Sequence, residues 1–144
     1  MSRRRLLITG ASGFVGSWCV RSSPSLPDWT PITTNAAFDL RDPESIRASL
    51  GSEPPEAVLH LAAQTFVPAA FSDPRATLEV NLLGTLSLLQ ALSNIGFRGR
   101  FVFVSSADVY GQVPESRMPI DEEVPPLPRN PYAVSKLAAE ALCR

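Results

Sequence analysis

The chain has little of what metal, disulfide or membrane chemistry requires. Histidine occurs once, at His60, and cysteine twice, at Cys19 and Cys143. Two cysteines do not make a disulfide framework, and their separation fits no zinc-ligand spacing. They point instead to a reducing compartment, with the cytoplasm as the expected location. Cys19 falls in the first predicted helix and reads as a small buried thiol. Charge is sparse and balanced, with 13 Lys and Arg against 14 Asp and Glu. That leaves no electrostatic reason to expect a nucleic acid or an anionic membrane as partner. Arg3, Arg4 and Arg5 read as a solvated lead-in to a buried strand. No apolar run approaches the length of a membrane span. The short apolar run after the basic start leads into glycines, unlike the core of a secretion signal. What remains, 44% hydrophobic residues in 144, is the composition of one soluble globular domain able to bury a core.

Strand-like and helix-like segments alternate. Arg5 to Thr9 is a short apolar run ending in glycines, as a buried parallel strand does. Gly13 to Ser22 reads as a helix, Trp29 to Thr34 as a strand, and Phe38 to Leu40 as a further, very short one. Asp42-Pro43 opens a helix to Leu50, with an aspartate cap and proline at the first helical position. Ala57 to Leu61 is the next buried strand. Asp73-Pro74 repeats the same start for the longest helix, which runs to Ile95 and is closed by Gly96. That helix is apolar around most of its circumference (Leu78, Val80, Leu82, Leu83, Leu86, Leu88, Leu89, Leu92, Ile95), which predicts burial on more than one side. Phe101 to Ser105 is a strand, the proline-rich stretch 113–129 a loop, and Asn130-Pro131 starts a last helix. The alternation predicts a doubly wound α/β fold of Rossmann type, with a parallel sheet.

Three clusters could carry chemistry. Gly10, Gly13 and Gly16 sit between a strand and a helix, where small residues let backbone approach a pyrophosphate at the helix N-terminus. The bland alternative is a tight turn with nothing bound. The end of the second strand, Thr33-Thr34-Asn35, offers neither a carboxylate for an NAD ribose nor an arginine for a 2′-phosphate, so NADH and NADPH stay unresolved. Asp39 reads equally as an adenine contact or a turn aspartate. His60 precedes Leu61-Ala62-Ala63-Gln64 at a strand end and reads as a hydrogen-bonded core residue. Ser105 and Ser106 end the Phe101 strand. Tyr132 and Lys136 lie one helical turn apart. An isolated phenol has a pKa of about 10; a nearby ammonium favours its ionised form, which suits general acid–base work, and a serine hydroxyl can hold a substrate oxygen beside it. The plain alternative for that helix is Tyr132 inward and Lys136 outward.

As a set, these blocks resemble the extended short-chain dehydrogenase/reductase (NAD-dependent epimerase/dehydratase) family. The stretches are TGASGFVG, Asp39-Leu40, HLAAQ, Asn81-Leu82-Leu83-Gly84-Thr85, SSADVYG and NPYAVSK, in the family's order and over nearly the whole chain. Within the family the likeness is to its reductases of GDP-4-keto-6-deoxymannose. GDP-mannose dehydratases carry Thr-Ser-Glu where this chain has Ser106-Ala107-Asp108, which favours ketone reduction over elimination of water. The resemblance implies an NAD(P)H cofactor and a nucleotide-diphosphate sugar substrate, GDP-linked. It implies that Ser106, Tyr132 and Lys136 are catalytic, with Ser105 assisting at the substrate. Gly10, Gly13, Phe14, Val15 and Gly16 would hold the pyrophosphate, and Asp39 and Leu40 would lie by adenine. Leu61, Ala62, Ala63 and Gln64 would line ribose and nicotinamide, and Asn81 would brace the helix behind the site. It also implies a homodimer through the long helices. Residues 1–144 would be the incomplete cofactor-binding domain, with the C-terminal substrate domain lacking. A dehydratase or epimerase, and a non-catalytic nucleotide-binding fragment, are the alternatives.

Overall fold

A computed structural model describes residues 3–144. Four parallel strands, β1 (Arg4–Thr9), β2 (Trp29–Thr33), β3 (Ala57–His60) and β4 (Arg100–Phe103), form one sheet in the order β2-β1-β3-β4. The helices are α1 (Phe14–Ser22), α2 (Pro43–Leu50), α3 (Val67–Ser72), α4 (Pro74–Leu78), α5 (Gly84–Asn94) and α6 (Pro131–Leu142). The doubly wound α/β expectation holds.

Strand alternation divides the apolar residues between two faces. Leu7 and Val58 are paired in register and point with Leu40, Ile46, Leu50, Leu88 and Leu92 into the core under α2 and α5. Their neighbours Leu6, Ile8 and Leu59 face the other way, toward Trp18 and Cys19 of α1. With α1 on one face and α2 and α5 on the other, strand order reverses between β1 and β3. Ligands in such sheets sit outside the carboxyl ends of the strands at that reversal.

Three helix starts use one device. Asp42, Asp73 and Asn130 accept backbone N–H bonds from Glu44, Ala76 and Ala133 at 2.9, 2.9 and 2.7 Å, each with proline at the first helical position. Four expectations need correction. Phe38 to Leu40 is irregular chain between two turns and not a strand, because Asp39 is bound up locally: its N–H donates to Ser45 Oγ and its carboxylate accepts from Arg41. Cys19 is half-buried, since α1 covers only part of its sheet face. The long helix is not uniform: a π turn, Glu79–Leu83, separates α4 from α5. It is also less covered than its composition predicts, with Leu88 and Leu92 buried but Leu83 52% exposed.

Candidate active site

The turn after β1 is shaped by three glycines with different constraints. Gly10 has φ +70°, and a Cβ there would stand 2.7 Å from Ala62 N. A Cβ on Gly16 would run into the Gly10 carbonyl oxygen. These two therefore pack the turn against β3 and against itself. Gly13 differs: its Cβ direction meets only Gly10 O, at 3.2 Å, and otherwise opens outward. Gly13 is the N-cap of α1 and supplies no side-chain cap, so the first N–H groups of the helix are left for a ligand.

This turn floors a cavity of about 1040 Å³. Leu61, Ala62 and Ala63 line it from just beyond the end of β3, Val104 and Ser105 from just beyond β4, and Tyr132 and Lys136 from α6. Gly10, Gly13, Phe14, Val15 and Gly16 are all on its wall. The expected groups from four separate chain segments thus meet in one space. Asp39, Leu40 and Gln64 line an adjoining recess that shares Phe38, Ala62 and Ala63 with the main cavity. Arg21 also reaches the main cavity, beside Thr33, Thr34 and Asn35. The strand end alone offered no arginine; helix α1 delivers one.

The two serines part company. Ser105 lines the cavity, and its Oγ is buried without a hydrogen-bond partner. Ser106 is not on the cavity wall; its Oγ accepts the Asp108 N–H at 3.2 Å and caps a short 3₁₀ turn. An unpartnered buried hydroxyl costs about 1–3 kcal/mol, so Ser105 fits a site that is completed by a ligand.

Tyr132 and Lys136 are both buried, so α6 is not the plain amphipathic helix with its lysine outward. The Lys136 ammonium lies 4.2 Å from the centre of the Phe103 ring and joins no ion pair among the described residues. Loss of solvent lowers its pKa to about 8, against a smaller opposing pull from Cys143 and Glu140.

Behind the cavity wall, buried polar groups form two hydrogen-bonded chains. Asn81, in the π turn, clamps Gln64 by accepting its N–H at 2.8 Å and donating to its carbonyl at 2.9 Å. Asn81 also donates to Ser135 Oγ at 2.9 Å, and Ser135 Oγ donates to the Tyr132 carbonyl at 2.6 Å. The cavity edge at Gln64 and the helix carrying Tyr132 are thereby tied to one side chain. The second chain runs through His60. Thr85 Oγ1 donates to the Asn81 carbonyl at 2.7 Å, so it accepts from His60 Nε2 at 3.1 Å. His60 Nδ1 then accepts from Thr9 Oγ1 at 2.7 Å. Thr9 Oγ1 in turn accepts the N–H groups of Leu61 and Ala62, each at 3.2 Å. Every proton has a place only if His60 is neutral. Burial, and secondarily the Lys136 charge, lower its pKa to about 3. His60 is the core residue its position suggested, and it holds the Leu61–Ala62 backbone at the cavity wall.

The sequence carried no signal for the unpartnered Ser105 hydroxyl or the Ser135 link; the inward Lys136 agrees with its reading as the partner of Tyr132. The exposed Phe14 ring, 83% accessible at the cavity mouth, was visible as part of the glycine block.

Comparison with known proteins agrees with this geometry. Residues 6–144 match the NAD dependent epimerase/dehydratase family. The chain is 54% identical over 141 residues to GDP-6-deoxy-D-mannose reductase of Pseudomonas aeruginosa, covering 97% of this chain and 46% of that one. It is 36% identical to a GDP-mannose 4,6-dehydratase of Vibrio cholerae over 76% of this chain and 31% of the relative. A solved structure described as RMD from Pseudomonas aeruginosa complexed with NADPH superposes with TM-score 0.89 at 53% identity, covering 97% of this chain and 48% of the other. The Thermus thermophilus UDP-glucose 4-epimerase complex with NAD gives 0.83 at 35% identity, covering 96% and 49%. The chain spans about half the length of the relatives it matches. It belongs to the NAD dependent epimerase/dehydratase family.

Proposed function

We propose that this chain is the cofactor-binding half of an NAD(P)H-dependent reductase of a nucleotide-linked 4-keto-6-deoxy sugar, with GDP-4-keto-6-deoxymannose as substrate and GDP-D-rhamnose as product. One observation carries the reading: Tyr132, Lys136 and an unpartnered Ser105 hydroxyl share a cavity with the Gly10–Gly16 turn. The glycine turn, the uncapped start of α1 and the space in front of Gly13 suit a pyrophosphate. The 54% identity to a GDP-6-deoxy-D-mannose reductase favours this sugar within the family.

A reduced nicotinamide, when bound, supplies a hydride to the substrate ketone carbon. Tyr132 donates its phenolic proton to the ketone oxygen, which becomes the product hydroxyl, and the phenolate is reprotonated from solvent. Lys136 stabilises that phenolate and binds the nicotinamide ribose. Ser106 lies off the wall of this cavity; its Oγ accepts the Asp108 N–H and keeps its own proton, which it would donate to the ketone oxygen of a substrate held there by the second half of the protein, and Ser105 fills its missing hydrogen bond at the nicotinamide end. Gly10, Gly13, Phe14, Val15 and Gly16 cradle the pyrophosphate, and Asp39 and Leu40 lie by the adenine. Leu61, Ala62, Ala63 and Gln64 line the ribose and nicotinamide, while Asn81 positions Tyr132 through Ser135. Asp108 stands where the dehydratases have glutamate, so reduction rather than loss of water is the chemistry proposed.

A substrate domain in the second half of the protein would complete the site. The second half would also cover β4, whose Val102, like Val104 just after the strand, is 43% exposed. The half-covered long helix, with Leu83 outward, suits a homodimer. Two unpaired cysteines suit the cytoplasm. The test is NADPH oxidation by the full-length protein with purified GDP-4-keto-6-deoxymannose. Consumption of NADPH with a matching yield of GDP-6-deoxy-hexose supports the reading. Turnover of GDP-mannose itself, with release of water and no net NADPH use, would replace it with the dehydratase.

A further inference from the structure

The cavity has one end that pyrophosphate and nicotinamide do not explain. Where α1 finishes and β2 ends, Arg21 lines the wall together with Thr33, Thr34 and Asn35. Arg21 is exposed, and its guanidinium carbon lies 4.9 Å from the centre of the Trp18 ring, one turn earlier on the same helix. Stacking of that kind fixes a guanidinium plane while leaving its N–H groups free to donate. Arg21 joins no ion pair among the described residues. The other arginine near this end is already engaged: Arg41 grips Asp39 through Nε at 3.0 Å and a terminal nitrogen at 2.6 Å. Asn35 uses its Oδ1 to accept the Ala37 N–H at 3.0 Å, which turns the amide nitrogen into its remaining polar function.

The chemistry at this end is therefore one of donors. Arginine, two threonines and an asparagine line this end, and no carboxylate lines the cavity. A dinucleotide site that selects NAD needs an acceptor for the two ribose hydroxyls, normally an Asp or Glu at the end of the second strand. Such a carboxylate would repel a phosphate. Here Thr34 and Asn35 occupy that strand end, and the arginine without an ion pair lines the same cavity.

We infer that Arg21, stacked on Trp18 and lining the same cavity as Thr34 and Asn35, is the 2′-phosphate site of this chain and makes it select NADPH over NADH. The inference rests on the proposed dinucleotide site and adds its specificity. Arg21 is a binding residue and takes no part in proton or hydride transfer. Its charge-assisted bonds to a phosphate dianion are made only by NADPH.

Equilibrium binding of NADPH and of NADH to the full-length protein, by titration calorimetry without any sugar substrate, tests it. Adenosine 2′,5′-bisphosphate and 5′-AMP serve as probes that lack the nicotinamide. The wild type binds the 2′-phosphorylated member of each pair at least about tenfold more tightly. Arg21→Ala loses that advantage, with NADPH weakened about ten- to a hundredfold and NADH unchanged. Because Arg21 is exposed, this variant keeps its fold. Thr34→Asp, which restores an acceptor at the strand end, reverses the preference. Equal affinity for the two cofactors in the wild type, or an unchanged ratio in Arg21→Ala, overturns the inference and leaves the proposed reductase standing. Failure of the wild type to bind either cofactor overturns both.

Discussion

Acid should loosen this fold through one residue before its carboxylates are reached. His60 is 2% exposed and donates and accepts in a chain whose other members have no spare proton to rearrange. Protonation would put hydrogen on both Nδ1 and Thr9 Oγ1 along one contact, beside the Lys136 charge. The folded-state pKa accordingly falls from 6.5 to about 3. An unfolded chain takes up the proton below about pH 6.5, whereas the folded one does not. The stability His60 contributes is therefore fully present above pH 6.5 and is lost as the pH falls toward 3. Each pH unit in that window corresponds to about 1.4 kcal/mol, so about 2 kcal/mol should disappear between pH 6.5 and 5. Urea unfolding at intervals of half a pH unit reads this directly, as one proton's worth of additional slope in the wild type relative to His60→Gln. Taking the difference removes titration common to both proteins. The variant will be weaker at neutral pH by about 1–3 kcal/mol, because Thr9 and Thr85 lose a partner, but its stability should stay nearly flat over the same interval. A wild type and variant that decline in parallel from pH 6.5 to 5 would show that His60 takes up its proton without resistance, and the neutral hydrogen-bond chain described for the cavity wall would be wrong.

Three further perturbations probe the site. Gly13→Val places methyl groups in the one direction left open at the turn, and should weaken NADPH binding about ten- to a hundredfold. The thermal midpoint should barely change, and an unaltered NADPH titration would remove the turn from the site. Asn81→Ala removes the shared partner of Gln64 and Ser135, at an expected cost of about 2–3 kcal/mol in urea unfolding; a cost within measurement error would mean that water replaces the amide. Lys136, with its pKa lowered to about 8, loses its charge as the pH rises from 7 to 9. Turnover should fall along that limb, and in Lys136→Arg, which stays charged, the limb should move to higher pH. An unmoved limb would assign the alkaline decline to another group.

The fold was legible where local chemistry and pattern agree. Asp42-Pro43, Asp73-Pro74 and Asn130-Pro131 announce helix starts because the caps and the prolines act within four residues, and all three form the predicted bonds. The same locality explains the misses. Asp39 looks strand-compatible by its neighbours, but Ser45 and Arg41 bend the chain there. The π turn at Glu79–Leu83 has no compositional mark; it is coupled to a buried Asn81 whose partners lie 17 and 54 residues away. Tyr132 and Lys136 were recognisable by spacing, yet their joint burial depends on α6 packing against the helix that carries Asn81. Arg21 carries no such mark: the end of the second strand holds no arginine, and the one that lines the cavity belongs to the helix before it.

The proton donor is the point on which the mechanism stands. Single-turnover hydride transfer from NADPH to GDP-4-keto-6-deoxymannose in the full-length protein, compared between wild type and Tyr132→Phe alongside NADPH affinity, tests it most directly. The account predicts that the rate falls by about 10²–10⁴ while the NADPH dissociation constant stays within about twofold. Hydride transfer at the wild-type rate in Tyr132→Phe, or equal loss of transfer and binding, would contradict it.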